Sequence, residues 1–169
     1  MKADKVQLRR EVYKSDAWRI IDWLRDEEII RYLNEHQNVT SSLLQVVNRV
    51  NMPVLTHLFN QNGSFFVVDT EEKEPVGFMR LVPKQSEAEM VIVIGDKNKW
   101  GCGLGFQAIQ HGLRHAFFEW RVEKVIAKIN AMNTRSIRVF KKAGFRHERM
   151  LPREMLFSIT IDEYIKQAA

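Results

Sequence analysis

The sequence predicts an α/β protein built on a mixed, mostly antiparallel sheet with helices on both faces. Short β-branched runs and segments with apolar residues at helical spacing follow one another as strand, helices, three strands, helix, strand, helix and two strands. Only short turns separate the three successive strands, so we expect them to pair as antiparallel neighbours. With 169 residues and 45% hydrophobic content, we expect residues 1–169 to form one domain with a substantial core.

The first 62 residues predict a strand followed by helices. Apolar and charged side chains alternate over residues 6–13, which is typical of a half-exposed strand. Ser15 or Asp16 is expected to cap the next helix, whose apolar face includes Ile20 and Leu24. A short helix opens at the acidic triplet 26–28, and a third covers residues 42–51. Residues 54–62 favour no single structure.

The acidic residues of this region have two interpretations, which stay open. Acids in the first turn of a helix stabilise it through the helix dipole. Alternatively, they line the entrance for a cationic amine. The residues concerned are Asp22, Asp26, Glu27, Glu28 and Glu35.

The rest of the chain predicts alternating strands and helices. Three strands come first, then a long helix after residue 105, and then strand, helix and two closing strands. Gly144 is expected to end the second of these helices, with Phe145 packing behind it. The predicted strands cover residues 65–69, 76–82, 90–94, 125–129, 145–151 and 155–161, and the second helix covers 133–143.

A glycine loop lies between the 90–94 strand and the long helix, with Gly101, Gly103 and Gly105 at alternate positions. Free N–H groups and the helix dipole favour negative charge at such a place, so the order predicts a phosphate or pyrophosphate site. The loop lacks the Gly-Lys-Ser or Gly-Lys-Thr of a P-loop, which excludes a nucleotide triphosphatase. Its G-x-G-x-G spacing also differs from the G-x-G-x-x-G of dinucleotide folds.

Two segments together resemble the GCN5-related N-acetyltransferase (GNAT) family. The loop Trp100-Gly-Cys-Gly-Leu-Gly is similar to the family's acetyl-CoA loop, with Trp100 in the first place as in the ribosomal-protein and spermidine acetyltransferase branches. The second segment runs from Asn133 through Ser136 and Phe140 to Gly144-Phe145, and resembles the family's Asn-x-x-Ser, aromatic and Gly-Phe pattern. The resemblance is clearest over residues 76–165.

The resemblance implies a GNAT-like fold in which the central strand and the strand after the long helix splay apart. Acetyl-CoA would bind in that gap as cosubstrate, and no metal is expected. Lys97, Lys99, Arg138 and Lys142 are either contacts for outlying phosphates or solvated surface charges. The residues that would bind the cofactor are Ile92, Val93 and Ile94 for pantetheine, Trp100, Gly101, Cys102, Gly103, Leu104 and Gly105 around the pyrophosphate, and Asn133 and Phe140 along the cofactor arm.

Direct attack of an amine on a thioester needs a base for the amine and an acid for the thiolate. Glu89 resembles the family position often used as the base, and Glu87 is the alternative with the same side-chain parity. Many relatives carry a tyrosine acid seven residues after the asparagine, where this chain has Phe140. Ser136 is the substitute, although the thiolate can also leave unassisted, since a thiol pKa is about 8.5.

The leading function is therefore N-acetylation of a primary amine: a polyamine, an amino sugar or antibiotic, or a protein N-terminus. Phe140 supports an alternative, a non-catalytic acyl-CoA-binding regulatory module. A nucleic-acid-binding domain is a third possibility that the net charge of +5 suggests, but the basic residues are spread without aromatic interleaving. One cysteine, no secretion signal and no long apolar run predict a cytoplasmic protein away from membranes. A homodimer is a further expectation.

Overall fold

The computed structural model describes residues 4–33 and 39–169. A short 3-10 turn, Lys97–Lys99, precedes the glycine loop, and a π-helical turn, His115–Glu119, extends the long helix. The strands and helices are β1 Val6–Arg9, α1 Lys14–Leu24, α2 Glu27–Ile30, α3 Val39–Arg49, α4 Thr56–Phe59, β2 Ser64–Thr70, β3 Pro75–Lys84, β4 Glu87–Ile94, α5 Leu104–Arg114, β5 Lys124–Asn130, α6 Thr134–Lys142, β6 Arg146–Met150, β7 Glu154–Thr160 and α7 Ile161–Ala168.

The strands form a seven-stranded sheet in the order β1-β2-β3-β4-β5-β7-β6. All neighbours are antiparallel except β4 and β5, which are parallel. This confirms the predicted mixed, mostly antiparallel sheet and the run of three antiparallel strands. The strands β4 and β5 pair only over Glu87 to Glu89, opposite Lys124 to Ile126. Beyond that point they part, which confirms the splayed pair.

Alternating side chains along the strands supply cores on both faces of the sheet. Met79 and Met90 are buried on the face covered by α5, α6 and α7. Phe78 and Val93, one position out of phase with them, pack instead with Ile20 of α1. Helices therefore cover both faces, as predicted. None of the helices in the described parts of the chain is long and apolar enough to cross a membrane.

The start of α1 differs from the prediction. Tyr13, rather than Ser15 or Asp16, occupies the N-cap position. Asp16 lies in the first turn, and its Oδ2 accepts a hydrogen bond from the Tyr13 backbone N–H at 2.8 Å. The predicted cap was wrong because Asp16 lies three residues after the cap residue and accepts a hydrogen bond from its N–H, as the acid of a capping box does. The acid therefore marks the first turn of the helix and not its N-cap.

Three other elements depart from the sequence-based expectation. The strand β1 ends at Arg9, four residues earlier than predicted. The ambiguous residues 54–62 contain the short helix α4. The helix α7 was not predicted, although Thr160 begins it with a capping box in which its hydroxyl accepts from the Glu163 N–H.

A buried cation ties β1 to α1 and β2. The Arg9 guanidinium lies 2.7 Å from a carboxylate oxygen of Asp16 and 2.7 Å from one of Asp69, with side-chain exposures of 13%, 4% and 0%. Burial by itself lowers the pKa of Arg9, but the two carboxylates outweigh burial and raise it. The edge strand is thus joined to the helical layer by charge as well as by packing.

We expect Arg9→Met to lower the free energy of unfolding by about 3–5 kcal/mol, because it leaves two buried carboxylates without a counter-charge. Urea denaturation followed by circular dichroism measures this. Lys5→Met is the control: it removes an exposed pair with Glu71 at 3.9 Å and should cost less than about 1 kcal/mol. Equal losses in the two variants would contradict the role given to Arg9.

Candidate active site

A cleft of about 480 Å³ opens where β4 and β5 part. Beyond Glu89 and Ile126 neither strand pairs with the other, although β3 pairs with β4 and β7 with β5 along their full lengths. The facing edges therefore present backbone donors and acceptors to the cleft. A linear ligand that carries amides can pair with such an edge as an added strand does.

The glycine loop forms one end of this cleft. Gly101 and Gly103 have φ values of +79° and +84°, which glycine adopts without the steric cost that other residues pay. A Cβ built on either would meet no atom within 4 Å, so the space in front of the loop is open. Gly103 is the N-cap of α5, whose first N–H groups lack intrahelical partners. This donor set fits a diphosphate.

Trp100 is fixed from both sides of the cleft. Its indole Nε1 donates to the carbonyl of Ile94 at 2.7 Å. The Arg135 guanidinium, from the first turn of α6, lies 3.4 Å from the centre of the indole ring. Partial burial lowers the pKa of Arg135, against the opposing effect of Glu28 and Tyr32. The stack joins the loop after β4 to the helix after β5.

The other predicted cofactor residues of β4 and the loop differ in whether they line the cleft and in which face of the sheet they pack on. Ile92 and Ile94 line the cleft, and their side chains are half-buried against the α5 face. Val93 also lines the cleft, and it packs on the opposite face of the sheet, with residues of α1 and β2. Leu104 is likewise buried in the core. Cys102 is exposed and is not among the described residues that line the cleft.

The start of α6 brings the second motif to the same cleft. Asn133 caps this helix, its Oδ1 accepting from the Ser136 N–H at 3.2 Å. Both residues line the cleft, as does Phe140. Phe140 is 3% exposed and packs edge-on against Phe145 at 4.9 Å. Because the Asn133 Oδ1 is used in this cap, the side-chain NH₂ group of Asn133 is the donor that remains for a ligand.

Glu89 stands at the vertex of the cleft, at the last paired position of β4. Its Oε1 lies 2.9 Å from the Lys84 Nζ and 3.1 Å from the Lys128 Nζ. Burial would raise the pKa of Glu89, but the two lysines outweigh burial and lower it. Glu87 lies 3.5 Å from Lys124 and is not among the described residues of the lining, so the geometry favours Glu89 over Glu87.

Many of the remaining charged candidates are already paired. Lys97 contacts Asp26 at 2.8 Å and Glu28 at 3.2 Å. Lys99 contacts Asp4 at 2.9 Å and Glu74 at 3.7 Å. Of the acids proposed for the entrance, Glu28 lines the cleft, and Glu35 lies outside the described residues.

Two further cations line the loop end of the cleft. Lys142 lies over the Phe106 ring at 4.6 Å, and Arg138 projects from the same helix. These two cations make that end of the cleft basic, which suits an anionic cofactor.

Sequence reasoning missed three residues of this site: Arg135, Lys84 and Lys128. Arg135 sits inside the second motif at a position that the motif leaves variable. Lys84 ends β3 and Lys128 lies on β5, so only the pairing of three strands brings them to Glu89. The alternation of side chains along β5 places Lys128 on the same face as Glu89, but only if the register of β4 and β5 is known. The sequence does not give that register.

The family comparison agrees with this geometry. The family model described as "Acetyltransferase (GNAT) domain" matches residues 7–146. The chain belongs to the GNAT acetyltransferases. It is therefore an acyltransferase of the acetyl-CoA-dependent N-acetyltransferase type. The match runs from the second residue of β1 to the first residue of β6, and so includes β2 to β5, the glycine loop and α6.

Relatives and solved structures are similar to this GNAT chain at low identity. Peptidyl-lysine N-acetyltransferase YjaB of Escherichia coli is 25% identical over 120 residues, 71% of this chain and 75% of its own. AAC(6')-Ib in complex with paromomycin and acetyl-CoA has a TM-score of 0.81 at 16% identity, covering 98% of this chain and 99% of that chain. Spermidine N-acetyltransferase from Vibrio cholerae, with CoA and spermine, has a TM-score of 0.75 at 18% identity, covering 95% and 98%. The two structures establish the fold.

The anion cradle predicts a charge-specific effect at Gly103. Asp and Asn have nearly the same shape, and both tolerate positive φ better than other residues do. We expect Gly103→Asp to weaken coenzyme A binding by about tenfold more than Gly103→Asn, because only the former places a negative charge beside the phosphates. Isothermal titration with coenzyme A measures both variants. Equal affinities would show that the loop senses no anion.

Proposed function

We propose that this GNAT enzyme transfers the acetyl group of acetyl-CoA to a primary amine by direct attack, within one domain. The observation that carries the proposal is that a single cleft joins an anion cradle, two unpaired strand edges and a carboxylate at their vertex. These features match, in order along the cleft, a diphosphate, an amide-bearing arm and an amine that must lose a proton.

The loop and the strand edge hold the cosubstrate in this proposal. N–H groups at the start of α5 bind the diphosphate, and the backbone of Ile92 to Ile94 pairs with the pantetheine amides. Trp100 is hydrogen-bonded to Ile94 and stacked on Arg135, and so holds the loop and α6 in fixed positions relative to each other. The bound thioester supplies an activated acetyl carbonyl.

Glu89 accepts the proton of the acceptor amine. An alkylammonium has a pKa near 10.4, so the amine arrives protonated at neutral pH and must lose a proton before it attacks. The lowered pKa of Glu89 keeps its carboxylate ionised, which attracts the ammonium and makes the carboxylate a modest base. Lys84 and Lys128 therefore make Glu89 a weaker base but keep its carboxylate charged, so that it can bind the ammonium group.

Ser136 is the group that we assign to the departing thiolate. It lines the cleft one turn before Phe140, and its N–H is already used by the cap on Asn133. Its hydroxyl remains to donate a proton or hydrogen bond. Phe140 contributes packing to that wall, since it is nearly fully buried against Phe145.

The acceptor is a primary amine of the kinds that the similar proteins are named for. These are a lysine of a peptide, an aminoglycoside and spermidine. An amino sugar or antibiotic, a polyamine and a protein N-terminus present the same nucleophile. The residues around Glu28, Tyr32 and Leu33, which line the cleft from α2 and the turn after it, are placed to choose among them.

Acetyl-CoA-dependent thiol release tests this function. We expect release to rise above the rate without acceptor when the protein is offered lysine peptides, aminoglycosides or spermidine, with the acetylated amine found by mass spectrometry. Tight coenzyme A binding with no thiol release for any acceptor in the panel would contradict the enzyme function and support the non-catalytic acyl-CoA-binding module. Phe140, in the place of the usual tyrosine, is the observation that favours that second candidate.

Glu89→Gln is expected to lower kcat by about 100-fold while leaving coenzyme A affinity unchanged, because it removes the proton acceptor and no cofactor contact. The pKa of Glu89 lies below its ordinary 4.5, so Glu89 should give no inflection in kcat/KM above pH 4.5. The matched control is Glu87→Gln, on the same face of β4 but outside the lining. A larger loss in the control would move the base to Glu87.

A further inference from the structure

Glu89 already holds two primary amines that belong to the chain. The Nζ atoms of Lys84 and Lys128 approach the same oxygen, at 2.9 and 3.1 Å. An acceptor ammonium must reach this carboxylate at the same kind of distance for its proton to be taken. Of these two lysines, Lys128 lines the cleft, and Lys84 is not among the described lining residues.

The register of the strands places Lys128 across the gap from the predicted cofactor arm. The last pair between β4 and β5 joins Glu89 to Ile126. Two residues further along each strand come Val91 on β4 and Lys128 on β5, where the two strands have parted. Both Val91 and Ile92 line the cleft. Lys128 is thus an amine beside the candidate base, facing the strand that is to hold pantetheine.

The other lysines of the lining lie elsewhere. Lys99 follows β4 on the way to the glycine loop and is paired with Asp4 and Glu74. Lys142 lies on α6 with its ammonium over Phe106. Both stand at the loop end of the cleft, where Lys99 contacts acids other than Glu89 and Lys142 contacts an aromatic ring. The position of Lys128 is therefore distinctive among the described cleft lysines.

We propose that Lys128 is itself an acetyl acceptor, so that the chain acetylates its own Nζ from the bound thioester. This inference rests on the proposed function. The Lys128 ammonium gives one proton to Glu89, and the neutral Nζ then forms an amide bond to the acetyl carbon as the carbon–sulfur bond breaks. The nitrogen loses its second proton, the departing thiolate takes up one proton, and one proton passes to solvent. The products are Nε-acetyl-Lys128 and coenzyme A.

Acetylation of Lys128 changes the vertex of the cleft. It removes one of the two cations that hold Glu89, because an amide nitrogen carries no charge. Glu89 then keeps Lys84 and gains a vacant side on which an external ammonium can bind. With one opposing charge gone, its pKa rises and it becomes a stronger base. The modification would prime the site for its external acceptor.

Lys124 provides a matched control within the chain. It lies on the same strand and the same face as Lys128, and it is ion-paired with Glu87 at 3.5 Å and Glu148 at 3.1 Å. Its side chain is 24% exposed, against 35% for Lys128. It is not among the described residues that line the cleft. The two lysines differ chiefly in access to the proposed thioester site.

The test incubates the purified full-length chain with acetyl-CoA and no acceptor, and measures acetylation at each lysine by peptide mass spectrometry. We expect Lys128 to be acetylated at least about 100-fold faster than Lys124, a ratio at the low end of what a positioned base supplies. The rate constant should be independent of protein concentration, as for a reaction within one chain. Lys128→Arg, which keeps the charge, should remove this signal. Equal rates at Lys128 and Lys124, or a rate constant that rises in proportion to protein concentration, would overturn the inference.

A second measurement needs neither cosubstrate nor turnover. NMR titration of the Glu89 carboxyl carbon in the free protein should show a higher pKa in Lys128→Gln, which mimics acetyl-lysine, than in Lys128→Arg. Equal values would overturn the priming role. Failure of the inference remains distinct from failure of the function: coenzyme A binding and thiol release with an unmodified Lys128 reject only the inference. Absence of both binding and release rejects the function as well.

Discussion

The divergence of two parallel strands is the constraint on which the rest of this structure depends. Each strand is held along its whole length by an antiparallel neighbour on its outer side, β3 for β4 and β7 for β5. The sheet can therefore open between them after three paired residues without losing either strand. The facing edges carry N–H and C=O groups that need partners, and an amide-bearing ligand supplies them. The same divergence places the loop at one end of the gap and Glu89 at its vertex.

Charge is divided along this cleft in a way that suits an anionic donor and a cationic acceptor. The loop end combines the α5 N-terminus with Lys99, Arg138 and Lys142. The vertex carries Glu89, but between two lysines that keep it ionised and weaken it as a base. A buried carboxylate without such partners would have a raised pKa and would be a stronger base, but it would be neutral for more of the pH range. The observed arrangement favours attraction of an ammonium over intrinsic basicity.

The family assignment and the acceptor rest on different parts of the molecule. The loop and the start of α6 carry the motifs that resemble the GNAT family, and both line the cleft. Residues of α2 and the following turn, Arg80 of β3 and Glu154 of β7 also line the cleft. These segments contain no family motif that the sequence analysis used. The motifs can therefore stay the same in family members whose remaining lining residues, and whose acceptors, differ.

The sequence by itself determined the strand, glycine loop and helix, the three antiparallel strands and the motif at Asn133, because each depends on neighbouring residues. Alternation sets the strands, positive φ requires glycine at positions 101 and 103, and a side chain three residues before an N–H can cap it. Glu89 was chosen because it resembles the family position at the head of the central strand, and its role as the base stays a prediction. The tertiary structure alone decided what surrounds it, since Lys84 and Lys128 come from two other strands and reach it only through the register of β3, β4 and β5. Local pattern carries no information on such contacts, whereas the charge state of the site depends on them.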